Sequence, residues 1–438
     1  MHADPLLLDE ELPARALAPL AAALDVGVSK TVCLAARRDA VLDLHPDRPL
    51  RVLGVGVQTA PCIASGKPAD FDACARAIRV AIEEAAAMAA APIKRVTACY
   101  SGPGLNARIV RARVRVRGRA VAARDLDTAI DAAMHAGGAP QLTVLHVEPL
   151  RYTLDDGESV ADPVGMAGRM LSIEACVVTA PTDAIEALRA CIRWAGAEVE
   201  DIVAAPRAAA LAVMSYEERT GGALLVDIGA GSIGLAAFAG EGLVHAETVA
   251  AGGVRLTRDL AGKLETTYAA AERIKLAFSA VRGACDPREA VQAPKIGLDG
   301  RLEASTTLRG VIADTITPRL VEMLLVARER LARAGFSGAN APARAVLVGG
   351  GALIPGVREL ATDTLGMPVR IGRPIDLSGF DHGEVGPAYS AVAGLLRWRL
   401  DTPTLADVEE TYQPSLAEAA RTMRNNAAGA WNWLRENF

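Results

Sequence analysis

The chain has 438 residues, 51% hydrophobic but only 4% aromatic, so its core must be built from Ala, Val, Leu and Ile across about two to four structural units. Lys plus Arg number 47 against 52 for Asp plus Glu, a mild acidity that argues against nucleic-acid binding. Seven scattered cysteines with no CxxC pair fit a reducing compartment better than disulfides or zinc. The longest stretch free of Asp, Glu, Lys and Arg, Ala132 to Val147, is too short and polar to span a bilayer, so a cytoplasmic protein with at most peripheral membrane contact is expected.

Residues 1–19 read as an acidic leader, with Asp4, Asp9, Glu10 and Glu11 where a signal peptide would carry basic residues. Leu20 to Arg37 is two apolar runs about a turn carrying Asp25, Gly27, Ser29 and Lys30, which predicts a β-hairpin. Residues 72–91 are Ala-rich and helical, closed by Pro92. Next, Arg111, Arg113, Arg115, Arg117 and Arg119 alternate with Val110, Ala112, Val114, Val116 and Gly118. Strict period two predicts a strand with one apolar face and one arginine face.

Ala223 to Ala239 repeats the hairpin pattern, with Asp227, Gly229, Gly231 and Ser232 in the turn region. The same device therefore opens two sections about 200 residues apart, which points to an internally duplicated α/β protein with a cleft between its halves. A strand at Ala345–Val348 runs into Gly349, Gly350 and Gly351, followed by a helix to about Leu365. Residues 401–415 are a polar, Pro-containing linker. The chain ends on an apolar stripe, Leu416, Ala420, Met423, Ala427, Trp431, Leu434 and Phe438, with Trp433 alongside and Arg421, Arg424 and Arg435 off it. Such an amphipathic helix lies in the lipid interface or docks on protein, and it cannot span.

Two turns with an Asp, a Gly and a hydroxyl suit a triphosphate. Glycine lets backbone N–H groups approach phosphate oxygens, Ser29 and Ser232 add hydroxyl donors, and Lys30 adds a point charge. Asp25 and Asp227 are the candidate Mg²⁺ carboxylates, acting through water because Mg²⁺ keeps much of its hydration shell.

This arrangement resembles the superfamily of actin, sugar kinases and heat-shock chaperone ATPases, with its two phosphate loops and an adenosine loop. Ala271-Glu272-Arg273-Ile274-Lys275 looks like that superfamily's adenosine-gripping helix, with Glu272 and Lys275 on one face. The resemblance implies that Gly349 to Gly351 pass against the adenine, where a Cβ would clash. Within the superfamily, the stretch from Val144 to Gly168, with Asp162-Pro163, Gly165-Met166 and Gly168, and the ending Trp433-Leu434-Arg435-Glu436-Asn437-Phe438 are similar to the FtsA family of bacterial cell-division proteins.

The fold class implied is an actin-like duplicated α/β fold with two halves around a nucleotide cleft, an FtsA-type insert (1C) and a C-terminal amphipathic helix. Subdomain 1A would take residues 20–93, 169–210 and 380–400, the 1C insert residues 94–168, subdomain 2A residues 222–265 and 336–379, and subdomain 2B residues 266–335. The linker 401–415 and the membrane-targeting helix 416–438 follow. The function implied is an ATP- and Mg²⁺-binding protein that binds the C-terminal peptide of FtsZ, tethers FtsZ filaments to the cytoplasmic membrane, assembles with itself into an actin-like filament in a nucleotide-linked way and recruits later divisome proteins. Arg301 and Arg309 lie in the region of 2B that would receive the FtsZ peptide. Arg113 and Arg115 are candidates for an acidic partner or anionic lipid, set against the default of a solvated outer sheet face. Trp431, Trp433, Leu434 and Phe438 are the expected membrane contacts. Burying Trp431, Leu434 and Phe438 yields about 5–8 kcal/mol before ordering costs, enough for weak attachment that filament avidity would multiply.

The second loop departs from the family pattern. Gly229-Ala230-Gly231-Ser232-Ile233-Gly234 stands where Gly-Gly-Gly-Thr-Thr-Asp is usual, Val28 replaces a common Thr, and Ala204-Ala205-Pro206-Arg207-Ala208-Ala209-Ala210 has no acid to position water. Loss of positioning groups should impair hydrolysis more than binding. The rival readings are a type IV pilus assembly protein of the same superfamily and a small-molecule kinase.

Overall fold

A computed structural model of the chain describes residues 20–38, 50–59, 62–240, 242–379 and 386–401. The leader, most of the linker and the terminal stripe with Trp431, Trp433, Leu434 and Phe438 lie outside the described residues.

The first half opens with an antiparallel meander, β1 (Ala21–Val26), β2 (Thr31–Arg38) and β3 (Leu50–Gln58), followed by α1 (Phe71–Met88) and β4 (Arg95–Tyr100). The insert comprises β5 (Asn106–Arg115), α2 (Ala123–Gly137), β6 (Leu142–Leu154) and β7 (Met170–Pro181). The chain returns through α3 (Thr182–Trp194), β8 (Glu198–Ala204) and α4 (Ala205–Val213). The second half repeats the plan with β9 (Ala223–Ile228), β10 (Ile233–Ala239), β11 (Gly242–Val249), α5 (Gly253–Lys263), α6 (Tyr268–Phe278), α7 (Arg309–Arg333), β12 (Arg344–Val348), α8 (Val357–Leu365) and β13 (Val369–Ile371). Helix α9 (Ser390–Asp401) packs back on the first half.

Strand order exposes the duplication. The first sheet runs β8-β4-β1-β2-β3, with Leu377–Ser378 at its edge, and the second runs β13-β12-β9-β10-β11. In each half a three-stranded antiparallel meander is followed by two strands parallel to its first member. Strands β1 and β9 are near-continuous apolar runs, as expected where helices cover both faces.

A core poor in aromatics closes by bringing backbones together. A Cβ on Gly56 of β3 would sit 1.8 Å from the Ala81 carbonyl oxygen of α1, and one on Gly54 would sit 2.0 Å from that of Ala85. Helix α1 starts where the Asp70 side chain accepts a hydrogen bond from the Ala73 amide. Helices α9 and α4 meet in the same way, since a Cβ on Gly394 would fall 1.6 Å from the Ala208 carbonyl oxygen. Pro206 of α4 in turn lies against Gly234 of β10, so α4 touches both halves.

The insert differs from the expected 94–168 at both ends. Strand β4 lies between β1 and β8 in the first sheet, while β7 pairs along its whole length with β5 on one side and β6 on the other. The insert sheet therefore reaches Pro181. Its core is Ala129 and Ala133 of α2 against Leu171, Ile173 and Ala175, flanked by Val110, Ala112 and Val114. This is the apolar face read from the arginine alternation, although the strand ends at Arg115 and leaves Arg117 and Arg119 beyond it. One residue pair, Glu247 with Asn106, joins β11 to β5 and makes the second sheet and the insert continuous.

Candidate nucleotide cleft

The two hairpin turns close with the same bond. Gly27 N–H donates to the Lys30 carbonyl and Gly229 N–H to the Ser232 carbonyl, each at 2.9 Å. Asp25 stands opposite Val32 and Asp227 opposite Gly234, so the carboxylates hold equivalent places at the ends of β1 and β9. By this register Ser232 matches Lys30, and Ser29 matches Gly231. The two hydroxyls therefore do not occupy matching positions.

The turns face one another. Burial raises the Asp25 carboxyl above its usual range, opposed by a hydrogen bond from the Cys99 thiol and the charge of Lys30. Asp227 is pushed up to about 7, first by burial and then by the negative charge of Asp25, with Lys30 pulling the other way. Lys30 is itself lowered by burial against the attraction of both carboxylates. Its ammonium sits 3.7 Å from the centre of the Tyr389 ring. Two converging carboxylates that resist ionisation together form a site a divalent cation would relieve. Among the described residues no cluster of three or more His, Cys, Asp or Glu offers an all-protein cage. That donor set fits Mg²⁺, which takes few carboxylates and completes its shell with water and phosphate.

Behind the second turn, Gly253 N–H donates to the Gly229 carbonyl at 3.0 Å and Val254 N–H to that of Ala230 at 2.8 Å, which seats the start of α5 on the loop. Gly252 is required here, because a Cβ would lie 2.5 Å from the Ala230 oxygen. Glu272 and Lys275 of α6 form an ion pair at 2.8 Å. Lys275 also donates to Thr257 Oγ1 at 2.9 Å and to the Gly253 carbonyl at 3.4 Å. The pair thus stands beside the second loop, and its ammonium is already supplied with three protein acceptors.

The glycine turn after β12 has an additional reason for its composition. Gly349 has φ +83°, and a Cβ there would lie 2.3 Å from Asp227 Oδ1. One on Gly351 would lie 2.3 Å from Ile228 Cγ2, whereas Gly350 faces open space. Two of the three glycines are therefore required by the chain itself. Gly349 N–H also donates to the Pro387 carbonyl at 2.9 Å, which links this turn to the segment carrying Tyr389.

Sequence reasoning missed Cys99, whose thiol lies 3.3 Å from Asp25 Oδ1, and Tyr389 beneath Lys30. Neither carries a local signal, since both reach the cleft from distant elements. The stretch without an acid, Ala204 to Ala210, forms the end of β8 and the start of α4. Of the candidate partner residues, Arg301 is exposed in the turn between Lys295–Ile296 and Leu302–Glu303, with Asp299 3.9 Å away. Arg309 is engaged with Glu289 at 2.7 Å and the Phe278 carbonyl at 3.1 Å. Arg113 and Arg115 lie on the outer face of β5, and Arg113 reaches Asp156 at 3.0 Å.

Comparison with known proteins agrees with this geometry. The family model described as cell division protein FtsA matches residues 224–394, and that of the SHS2 domain inserted in FtsA matches residues 102–179, the span of β5, α2, β6 and most of β7. Cell division protein FtsA of Rhizobium meliloti is 33% identical over 95% of this chain and 94% of its own length. That of Pseudomonas aeruginosa is 31% identical, covering 86% of this chain and 88% of its own length. Among solved structures, the PilM–PilN type IV pilus biogenesis complex aligns with TM-score 0.61 at 19% identity, over 86% of this chain and 98% of the matched chain. MreB5 of Spiroplasma citri bound to ADP aligns with TM-score 0.50 at 14% identity, over 87% and 96%. These likenesses show an actin-like fold. The curated relatives establish that the chain belongs to the FtsA family of cell division proteins.

Proposed function

We propose that the protein is an ATP-binding adaptor that self-assembles in a nucleotide-linked way, holds FtsZ filaments at the cytoplasmic face of the membrane and recruits later division proteins. The observation that carries the nucleotide reading is the pair of matched turns, Gly27–Lys30 and Gly229–Ser232, facing each other with Asp25 and Asp227 at their bases. Lys30 and the turn amides would receive the phosphates, and Asp25 and Asp227 would hold Mg²⁺ through water. When bound, the metal would supply charge neutralisation at the phosphates. Glu272 and Lys275, with Gly350 on the open side of the glycine turn, would border the nucleoside.

Turnover is expected to be slow or absent. Gly229–Gly234 offers one hydroxyl and no second carboxylate, and hydrolysis depends on positioning and charge stabilisation. The pilus reading rests on fold likeness at 19% identity, against a cell-division relative at 33% over nearly the whole chain. A kinase would need a cleft carboxylate facing an acceptor, which no motif of this chain supplies.

Calorimetry with ATP, with and without Mg²⁺, tests the cleft: heat that is lost in Asp227→Ala supports it, and no heat with any nucleoside triphosphate refutes it. Co-sedimentation with FtsZ, with and without the FtsZ C-terminal peptide, tests the tether. Liposome flotation of Trp431→Glu against the parent tests the anchor, and equal flotation would dismiss it.

A further inference from the structure

Among the described residues, strand β5 is paired along its length on one side only. From Asn106 to Arg115 it is laddered to β7, but its other side meets β11 at the single pair Asn106–Glu247. Beyond that point, among the described residues, the outer side of β5 carries no strand. An open strand edge presents a row of backbone donors and acceptors that can take up another chain.

The side chains beside that edge are chemically uniform. Ile109, Arg111, Arg113 and Arg115 share the face turned away from α2, and Ile109 is 49% exposed. The neighbouring strands form a polar floor of Ser172, Thr153 and Ser159 in a groove of about 430 Å³. Glu174 is clamped in that floor, Oε2 to Arg111 Nε at 2.6 Å and Oε1 to Arg151 Nη2 at 2.7 Å. Burial opposes ionisation of Glu174, but the hydrogen bonds from Arg111 and Arg151 prevail and hold its carboxyl below the usual range. The clamp fixes Arg111 in place while leaving its side chain 79% exposed. Among the described residues Arg113 is paired only with an exposed aspartate, Asp156, a contact an incoming carboxylate can replace at little cost. Arg115 has no ion pair among the described residues.

We propose that the free edge of β5 is a docking strand for an acidic, extended segment of a partner protein. The segment would add to the sheet through its backbone, with carboxylates at alternate positions facing Arg111, Arg113 and Arg115 and an apolar residue over Ile109. Arginines two residues apart on a strand are about 7 Å apart, which is the spacing of alternate side chains on an added strand. The open backbone edge offers donors and acceptors that an extended segment takes up and a bilayer surface does not. The inference is independent of nucleotide binding, and its failure leaves that reading untouched.

Fluorescence anisotropy of the full chain tests it with three probes: a labelled peptide alternating glutamate and threonine, the same peptide with glutamine for glutamate, and the acidic peptide N-methylated at alternate backbone positions. The acidic peptide should bind and weaken with added salt. The glutamine and N-methylated versions should each bind at least about tenfold more weakly. Arg113→Glu with Arg115→Glu should abolish binding while thermal melting stays within a few degrees, and Arg113→Lys with Arg115→Lys should keep most of it. Equal binding of the N-methylated peptide would overturn strand addition. No binding of the acidic peptide would leave the arginines as guards against edge aggregation and overturn the proposal. So would capture of phosphatidylglycerol vesicles, but not peptide, in an Arg113- and Arg115-dependent way.

Discussion

Val28 of the first turn rests against Gly231 of the second. A Cβ on Gly231 would come within 2.5 Å of Val28 Cγ2, so the halves of the molecule touch where the two hairpin turns meet. Replacing Val28 by threonine would exchange one methyl for a hydroxyl of nearly the same shape. Val28→Thr should therefore keep the contact and add a donor, tightening ATP binding by about fivefold, the worth of one hydrogen bond near 1 kcal/mol. Gly231→Ala should separate the turns at a cost of about 1–3 kcal/mol, and adding Val28→Ala should recover most of that. Calorimetry and denaturant unfolding of the four proteins make a double-mutant cycle. Additive effects would show that the two residues do not meet in solution.

Asp227 ties the stability of the nucleotide-free protein to pH. Folding raises its pKa from 3.8 to about 7, so the folded state holds a proton that the unfolded state has lost. The group's contribution is fully present below pH 3.8, and it declines as pH rises until it levels off above about 7. The loss over this window is on the order of 4 kcal/mol. Asp227→Asn keeps the shape without the charge and should stabilise the nucleotide-free protein more at pH 8 than at pH 5, while removing any response to Mg²⁺ with ATP. Melting curves across pH check this, and a gain equal at both values would mean that Asp227 is ionised throughout.

The glycine turn offers a contrast between neighbours. Gly349→Ala must place a methyl 2.3 Å from Asp227 Oδ1 at a positive φ, while Gly350→Ala points into open space. Strain and displacement together should cost the first variant about 2–4 kcal/mol of stability and weaken nucleotide binding with it. The second variant should fold normally and affect nucleotide binding only if the nucleoside lies against that turn. Comparing unfolding free energies with ATP affinities separates the two roles.

How much of this was legible depended on distance along the chain. Both hairpins, the helix before Pro92 and the strand before Gly349 are local patterns of period two or 3.6 and lie close to where the sequence placed them, while the alternating face of β5 stops at Arg115, short of Arg117 and Arg119. The insert boundary was missed because β7 follows directly on the expected boundary at 168, and no periodicity along it says which strands it will pair with. Nothing near Cys99 or Tyr389 announces a meeting with Asp25 or Lys30. Gly349 and Gly351 were read as ligand contacts, since a sequence does not reveal that Asp227 and Ile228 fill the space first.

The junction of insert, first half and second half is a second place that only the folded chain assembles. His146 of β6 is buried, its ring 5.5 Å from that of Trp398 on α9, and its Nε2 accepts from the Ala204 amide at 3.4 Å. That bond leaves the proton on Nδ1, which faces Glu148 at 3.7 Å, too far for a hydrogen bond. Glu148 is instead held by Arg207 of α4, whose guanidinium also lies 5.8 Å from the rings of Phe238 and Trp398. Burial, aided by the Arg207 charge and opposed by Glu148, pushes the His146 pKa down from 6.5 to about 4. For a depressed histidine the stabilisation is present above pH 6.5 and disappears as pH falls through 4, a loss on the order of 3 kcal/mol. His146→Gln should flatten that part of the acid limb relative to the parent. Glu148→Gln should cost about 3–5 kcal/mol at neutral pH by leaving Arg207 buried without its counter-charge. Denaturant unfolding at half-unit pH steps reads both effects. If parent and His146→Gln lose stability in parallel between pH 6.5 and 4, His146 is not held neutral by burial and the junction is open to water.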